Sequence, residues 1–349
     1  MTAEGRPRTA RLTIGSAVPL DRRGLLTTRP APGSGGLLKI VEPQGDARLD
    51  AAGIVRQRRE ELAADLYRHG ALLLRGFGTA DTDAFDEVVR AFSDALLAYE
   101  HRSTPRTRIK GGIYTSTEYP PDQVIPLHNE LTHTAPRHLW FCCLTPAPVG
   151  GATPIADTRA LLRLLPTDLA ARFARHGILY VRNYHPDIDL PWQEVFGTDS
   201  KQDVEAYCTE QDMEWEWVDA DHLRTRQLCH AVVTHPVTGT ASWFNQAHLF
   251  HHTRVGAEGA ASLLKMFGKE NLPRNTYLGN GQDITDDELA TIRAAYDQVL
   301  HRFPWQAGDM LLVDNLSCAH GRDTYQGDRR VVVAMTDSVD CRTLTTREI

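Results

Sequence analysis

The sequence predicts a mainly β protein with flanking helices, and three observations carry this. From about residue 108, short apolar runs alternate with Gly, Pro and Asn turn signals, the pattern of many short strands in a sandwich or barrel. Helical periodicity is confined to a block before residue 100 and two blocks after 255. No internal repeat or sharp compositional break divides the 349 residues, of which 42% are hydrophobic, enough for a sizeable core.

Taken in order, residues 1–37 are rich in Arg, Pro and Gly and are expected to form a flexible lead-in to a single domain over 38–349. Ile54, Leu62 and Leu66 recur at helical spacing over 50–68, and Gly70 stops that helix. Ala71 to Arg75 is a short apolar strand. A second helix is expected over 81–98, capped by Asp81 or Thr82, with Phe85, Val88, Val89 and Phe92 on one face. Strands then follow at 109–119, 124–127, 139–144, 178–184, 230–234 and 241–245, with two more at 309–314 and 330–336. Helices return at 256–268 and at 285–301, the second behind the capping box Thr285-Asp-Asp-Glu288. Met213 to Val218 alternates apolar with acidic residues, as an amphipathic strand with one wet face does.

Composition excludes several classes of function. The net charge is −7 with no long basic run, which argues against nucleic acid or an anionic membrane surface as the main partner. No apolar stretch approaches the roughly 20 residues of a membrane span. The N-terminus lacks the apolar core of a secretion signal, so a cytoplasmic location is the expectation. None of the six cysteines forms a C-x-x-C pair, and they are read as reduced, mostly buried thiols.

Chemistry is suggested by Ile125 to His133, IPLHNELTH. In an extended segment, side chains two apart share a side, so His128 and Glu130 can reach one ion. Imidazole with carboxylate suits a first-row metal such as iron(II), manganese or zinc. Far along the chain, a buried strand and a polar turn lead to His320. Two His and one carboxylate leave three coordination positions open, the arrangement of non-haem iron(II) oxygenases. A chelating 2-oxo acid also needs a cation for its distal carboxylate. Arg329 and Arg330 offer one, and Thr153 could add a hydroxyl.

Together, these phrases resemble a known family. They are His128-x-Glu130, PAPVGGATPIADT (146–158), GDMLLVDN (308–315) before His320-Gly-Arg, and DRRVVVAM (328–335). GALLLRGF (70–77), YTSTEYP (114–120) and WFNQAH (243–248) add support. Over roughly 38–340 the chain resembles the iron(II)/2-oxoglutarate-dependent dioxygenases of the taurine dioxygenase/TfdA-like superfamily, in its clavaminate-synthase-like and SyrP-like branches. The resemblance implies a double-stranded β-helix (jelly-roll) core, with His128, Glu130 and His320 as iron(II) ligands. It also implies that Thr153 and Arg330 bind the 2-oxoglutarate distal carboxylate, since the family usually uses the second arginine of such a doublet, and that O2 is the oxidant. Ala334 stands where taurine dioxygenase has a further arginine, which argues against a sulfonate substrate. Glu130 argues against halogenation, which needs that ligand position vacant.

The implied reaction is hydroxylation of an unactivated C–H bond of an amino acid or its derivative, free or presented by a carrier protein, in natural-product (antibiotic) biosynthesis. Desaturation or cyclisation would differ only in the fate of the substrate. Tyr114, Ser116, Thr117, Asn129 and Asn245 flank the metal motif and are expected to orient substrate. Arg108 and Lys110 could hold a carboxylate or a phosphopantetheine. His133, His251 and His252 are read as non-ligands. A zinc hydrolase and a non-catalytic barrel are the competing classes. Against the hydrolase stand the missing H-E-x-x-H and an arginine doublet it would not use; against the silent barrel stands the complete set of ligands.

Overall fold

Alternation along the strand Arg330–Asp340 decides how the core is built. Val331, Val333 and Met335 join one buried cluster, while Val332 and Ala334 join another. Both faces of the sheet are therefore covered. The computed structural model describes residues 26–44, 50–79, 81–93, 95–97, 107–117, 119–131, 134–187 and 189–346. In it, Arg330–Asp340 belongs to an eight-stranded sheet. The order across that sheet is Leu26–Pro30, Leu38–Pro43, Ala71–Leu74, Met310–Asp314, Thr134–Thr145, Arg330–Asp340, Ile113–Thr115 and Arg108–Lys110. All neighbours pair antiparallel except Leu38–Pro43 with Ala71–Leu74.

One face of this sheet packs against helices. Trp140, Cys142, Leu312 and Val332 meet Leu62 and Leu66 of Arg59–His69, and Phe85, Val88 and Val89 of Thr82–Phe92. Each such side chain contributes roughly 1.5–3 kcal/mol by leaving water. The first expected helix is two, Ala51–Gln57 and Arg59–His69, broken at Arg58, whose φ of −111° and ψ of 20° are not helical. Gly70 ends the second at φ 110°, where a side chain would be strained. Asp81 caps the next helix by accepting from the amides of Asp83 and Ala84. That helix stops at Phe92 rather than 98, because Ser93 turns extended and Leu96 bridges to Thr336.

The other face looks onto a smaller sheet, ordered Leu300–His301, Ile155–Asp157, Cys318–Arg322, Ile125–His128. Ile155 and Cys318 of this sheet pack with Leu139, Phe141, Val331 and Val333 of the large one. Two facing antiparallel sheets closed in this way make the jelly roll. Gly321 lets Cys318–Arg322 and Ile125–His128 lie close: a Cβ there would stand 2.6 Å from the Ile125 carbonyl oxygen. Behind the smaller sheet, Leu161, Leu165, Leu169 and Phe173 form a cluster with Ile292 of the helix Asp286–Val299, whose capping box is present. A third sheet, Glu214–Trp217, Leu223–Cys229, Ile178–Tyr184 and Arg274–Leu278, lies beyond.

Three expectations change. Of the proposed lead-in, residues 1–25 lie outside the described residues, but Leu26–Pro30 is already a strand paired in register with Leu38–Pro43. Helices at Thr158–Leu164, Thr167–His176, Trp192–Phe196 and Lys201–Glu210 fill a region read only as strands and turns. The strand Glu214–Trp217 has solvent on both faces: Trp215 is 37% exposed, and Glu216 accepts from Arg224 and Arg226. Among the described residues, no helix is long and apolar enough to cross a membrane.

Candidate metal centre

The site begins where two antiparallel strands run side by side. His128, at the end of Ile125–His128, stands directly opposite His320 of Cys318–Arg322. Both imidazoles therefore emerge on one face, with ring centroids 4.4 Å apart. Glu130 follows two residues on, just past the strand. One donor atom each from His128, Glu130 and His320 lies within 4.8 Å of the others. Among the described residues, no other His, Cys, Asp or Glu group is drawn together in this way.

The donors fit a divalent first-row ion. His128 Nδ1 lies 2.8 Å from the Pro126 carbonyl oxygen. A carbonyl can only accept, so Nδ1 carries the proton and the Nε2 lone pair is left for a metal. His320 is 5% exposed, which keeps it largely from bulk water.

A cleft opens beside these side chains. Phe141, Val331 and Val333 give it an apolar wall from the large sheet. Thr153 and Arg329 meet in another part: Arg329 Nε donates to the Gly151 carbonyl at 3.0 Å, and its Nη2 lies 3.5 Å from Thr153 Oγ1. Trp305 Nε1 also donates to Thr153 Oγ1, at 3.0 Å. Burial, and next the Arg322 guanidinium, hold Arg329 below the usual arginine value.

The expected choice of Arg330 is corrected here. Val331 and Val333 face the cleft, and Arg329 is in phase with them. Arg330 is in phase with Val332 and Ala334, and is exposed at the start of its strand beside a register shift. Four residues beyond Arg329 stands Val333, so the inward row also lacks a second cation.

The five candidate substrate residues separate. Ser116 and Thr117 line the cleft. Tyr114 is buried in the core between the sheets and does not reach it. Asn129 is 0% exposed and donates to the carbonyls of Asn315 and Cys318. Asn245, also 0% exposed, donates to Ala231 and accepts from the Ala247 amide. Both are corrected: these amides satisfy backbone where a turn leaves the sheet.

Other sequence candidates lie elsewhere. His133 falls outside the described residues. His251 and His252 are engaged locally, with Thr253 and Asn275 respectively. Lys110 pairs with Asp83 on the surface, and Arg108 donates to Gly111. All six thiols are free, and burial raises Cys142 and Cys143 to about 12.

Arg322, the last residue of the His320-Gly-Arg phrase, has a role that the phrase does not disclose. It is 4% exposed, lines the cleft and donates to four carbonyls, those of Thr117, Tyr119, Pro120 and Gln123. One guanidinium thus gathers the loop that brings Ser116 and Thr117 to the cleft. A basic residue in a strand gives no sign in the sequence that its partners are backbone carbonyls some 200 residues away.

The chain is similar to known proteins in sequence and in fold. The model of the family described as taurine catabolism dioxygenase TauD, TfdA family matches residues 35–336. The dapdiamide synthesis protein DdaC of Enterobacter agglomerans is 40% identical over 276 residues, 78% of this chain and 84% of that protein. A clavaminate synthase-like protein of Arabidopsis thaliana is 28% identical over 294 residues, 80% of this chain and 86% of that one. Among solved structures, PvcB, described as an Fe, alpha-ketoglutarate dependent oxygenase from an isonitrile synthetic pathway, shares the fold. Its TM-score is 0.52 at 16% identity, covering 95% of this chain and 94% of that chain.

Proposed function

We propose a function from one premise: the chain belongs to the taurine catabolism dioxygenase TauD, TfdA family, and is an iron(II)- and 2-oxoglutarate-dependent dioxygenase. His128, Glu130 and His320 hold the iron, and Arg329 with Thr153 holds the distal carboxylate of 2-oxoglutarate. When bound, iron, 2-oxoglutarate and O2 supply the oxidising power for attack on a C–H bond, with succinate and CO2 as by-products. The chain's own side chains bind, orient and exclude water. Arg329 offers a planar fork that matches a carboxylate, and the Thr153 hydroxyl, held by Trp305, fixes the fork's neighbour. Phe141, Val331 and Val333 keep the reacting region apolar.

The substrate we infer is an amino acid or its derivative, hydroxylated in a biosynthetic pathway, free or on a carrier protein. Similarity to a dapdiamide synthesis protein supports the biosynthetic setting. Ser116 and Thr117 are the polar groups placed to orient it. The described residues from Leu26 to Thr346 act as one catalytic domain, since Leu26–Pro30 already belongs to the large sheet.

One observation carries the proposal: three ligand atoms lie within 4.8 Å of one another, and two of their residues, His128 and His320, line a cleft that also presents an arginine and a hydroxyl. Anaerobic addition of iron(II) and 2-oxoglutarate should produce a weak visible charge-transfer band, lost in His128→Ala and Glu130→Ala. Absence of the band from the intact protein would sink the assignment. Succinate release across free and carrier-tethered aminoacyl compounds then tests the substrate class, and no stimulation by any of them removes it.

A further inference from the structure

We propose that Asn315 is a positioning residue, whose carboxamide acts as a substitute strand for Glu130 and thereby sets how tightly the iron is held. This rests on the assignment of His128, Glu130 and His320 as the metal ligands.

The local problem is structural. Sheet pairing fixes His128 opposite His320, but Glu130 lies past the end of the strand Ile125–His128. Among the described residues, no strand of the sheet pairs with the Glu130 backbone. Asn315 takes that place. Its Oδ1 accepts the Glu130 amide at 2.9 Å, and its Nδ2 donates to the Glu130 carbonyl at 2.8 Å. These are the two bonds that a residue of an adjacent strand would exchange with Glu130.

The same carboxamide reaches further. Nδ2 also donates to the Pro136 carbonyl at 2.8 Å, so Glu130 and Pro136 are tied to one side chain. Asn315's backbone completes the clasp: its amide donates to Arg137 O at 2.9 Å, and its carbonyl accepts from Asn129 Nδ2 at 2.6 Å. The side chain is 0% exposed, and Gln246 Nε2 donates to the Asn129 carbonyl from the other side at 2.5 Å. Asn315 itself sits in the turn between Met310–Asp314 and Cys318–Arg322, five residues before His320. One turn therefore connects the segment carrying two ligands to the strand carrying the third.

Only a carboxamide fits these partners. A carboxylate would keep the acceptor for the Glu130 amide but set an oxygen against two carbonyl oxygens. Groups that orient a ligand in this way typically change metal affinity about 10- to 100-fold when removed.

The test uses the full-length protein, free of metal and then titrated with iron(II) against a competing chelator. Asn315→Ala and the isosteric Asn315→Asp should weaken iron(II) binding about 10- to 100-fold. Asn183→Ala is the control. That amide is equally buried in the outer sheet and donates to the Glu270 and Leu272 carbonyls, and its loss should leave iron affinity within about twofold. Hydrogen exchange gives a second readout. In the metal-free wild type, the Glu130 amide should exchange slowly, and faster in Asn315→Ala. The proposal is overturned if Asn315 variants keep wild-type iron affinity, or if Asn183→Ala weakens it as much. Fast exchange at Glu130 in the wild type overturns it even if no Asn315 variant folds. Failure of the ligand assignment itself looks different: His128→Ala would then bind iron(II) as well as wild type.

Discussion

Replacing Arg329 and Arg330 one at a time separates two positions that the sequence leaves adjacent and alike. Arg329 is partly buried, and two of its nitrogens are already anchored, Nε on the Gly151 carbonyl and Nη2 near Thr153. The guanidinium is thus aimed before any ligand arrives, and binding loses little side-chain entropy. Removing one partner of a buried, hydrogen-bonded charge pair costs about 2–5 kcal/mol. At about 1.4 kcal/mol per factor of ten, Arg329→Ala should weaken 2-oxoglutarate binding roughly thirtyfold to more than a thousandfold. Arg329→Lys keeps the charge but loses the fork, and should fall between. Arg330 is exposed, so Arg330→Ala should stay within about 0.5 kcal/mol, near twofold. The assay is titration of 2-oxoglutarate into the anaerobic iron(II) protein, read by the visible band, which reports binding apart from turnover. A thermal melt checks that loss of the Gly151 bond has not unfolded the variant. If Arg330→Ala weakens binding severalfold while Arg329→Ala does not, the placement of the two side chains is wrong.

Two further outcomes follow from buried groups. Arg322→Gln strips the guanidinium from four carbonyls, each costing about 1–3 kcal/mol if left unsatisfied. It should lower the denaturation midpoint and expose 119–123 to proteolysis, and an unchanged midpoint would contradict that role. His248 is held at about 3, first by burial and next by Arg293, against about 6.5 unfolded. Because the folded state resists the proton, its stabilising contribution is complete above pH 6.5 and is lost as pH falls toward 3. By pH 4 the loss is roughly 3 kcal/mol, at about 1.4 kcal/mol per unit. His248→Gln should flatten this limb of stability against pH, measured by urea unfolding, and an identical limb in both proteins would refute it.

Much of the fold was legible because the strands that build it are short, apolar and punctuated. Ile178–Tyr184 and Met310–Asp314 announce themselves by composition and by their flanking Gly, Asp or Asn. The helices at 158–176 were missed although Leu161, Leu165, Leu169 and Phe173 stand four apart. Leu162 and Leu164 interrupt the stripe, and Pro166 divides it into two short helices, each below the length at which periodicity is clear. In the site, His128, Glu130 and His320 were visible because metal-binding side chains are chemically distinctive. Arg329 was not separable from Arg330, because Val331, Val332 and Val333 are all apolar and hide the phase of the strand. Asn129, Asn245 and Asn315 look alike in a sequence; which of them bonds backbone and which would meet a ligand depends on neighbours far along the chain.

The charge balance shows why global composition could exclude one class of anion and not another. A nucleic acid samples a surface many Debye lengths wide, about 8–10 Å each at ordinary salt, so the net charge of −7 and the lack of a basic run count against it. A small dicarboxylate samples only the cleft. The residues that line it include two guanidiniums, Arg322 and Arg329, while the Glu130 carboxylate stands with His128 and His320 at the metal centre beside it. Part of the cleft wall is buried, Arg322 and Thr153 among it, and a charge interaction there is worth more than at the open surface. Arg322 donates from both terminal nitrogens to the loop carbonyls, yet its charge still presses on Arg329 and lowers its pKa, and a bound carboxylate would relieve that repulsion. An acidic protein can thus hold a dianion, because the local field at Arg322 and Arg329, and not the sum over the chain, is what the ligand meets.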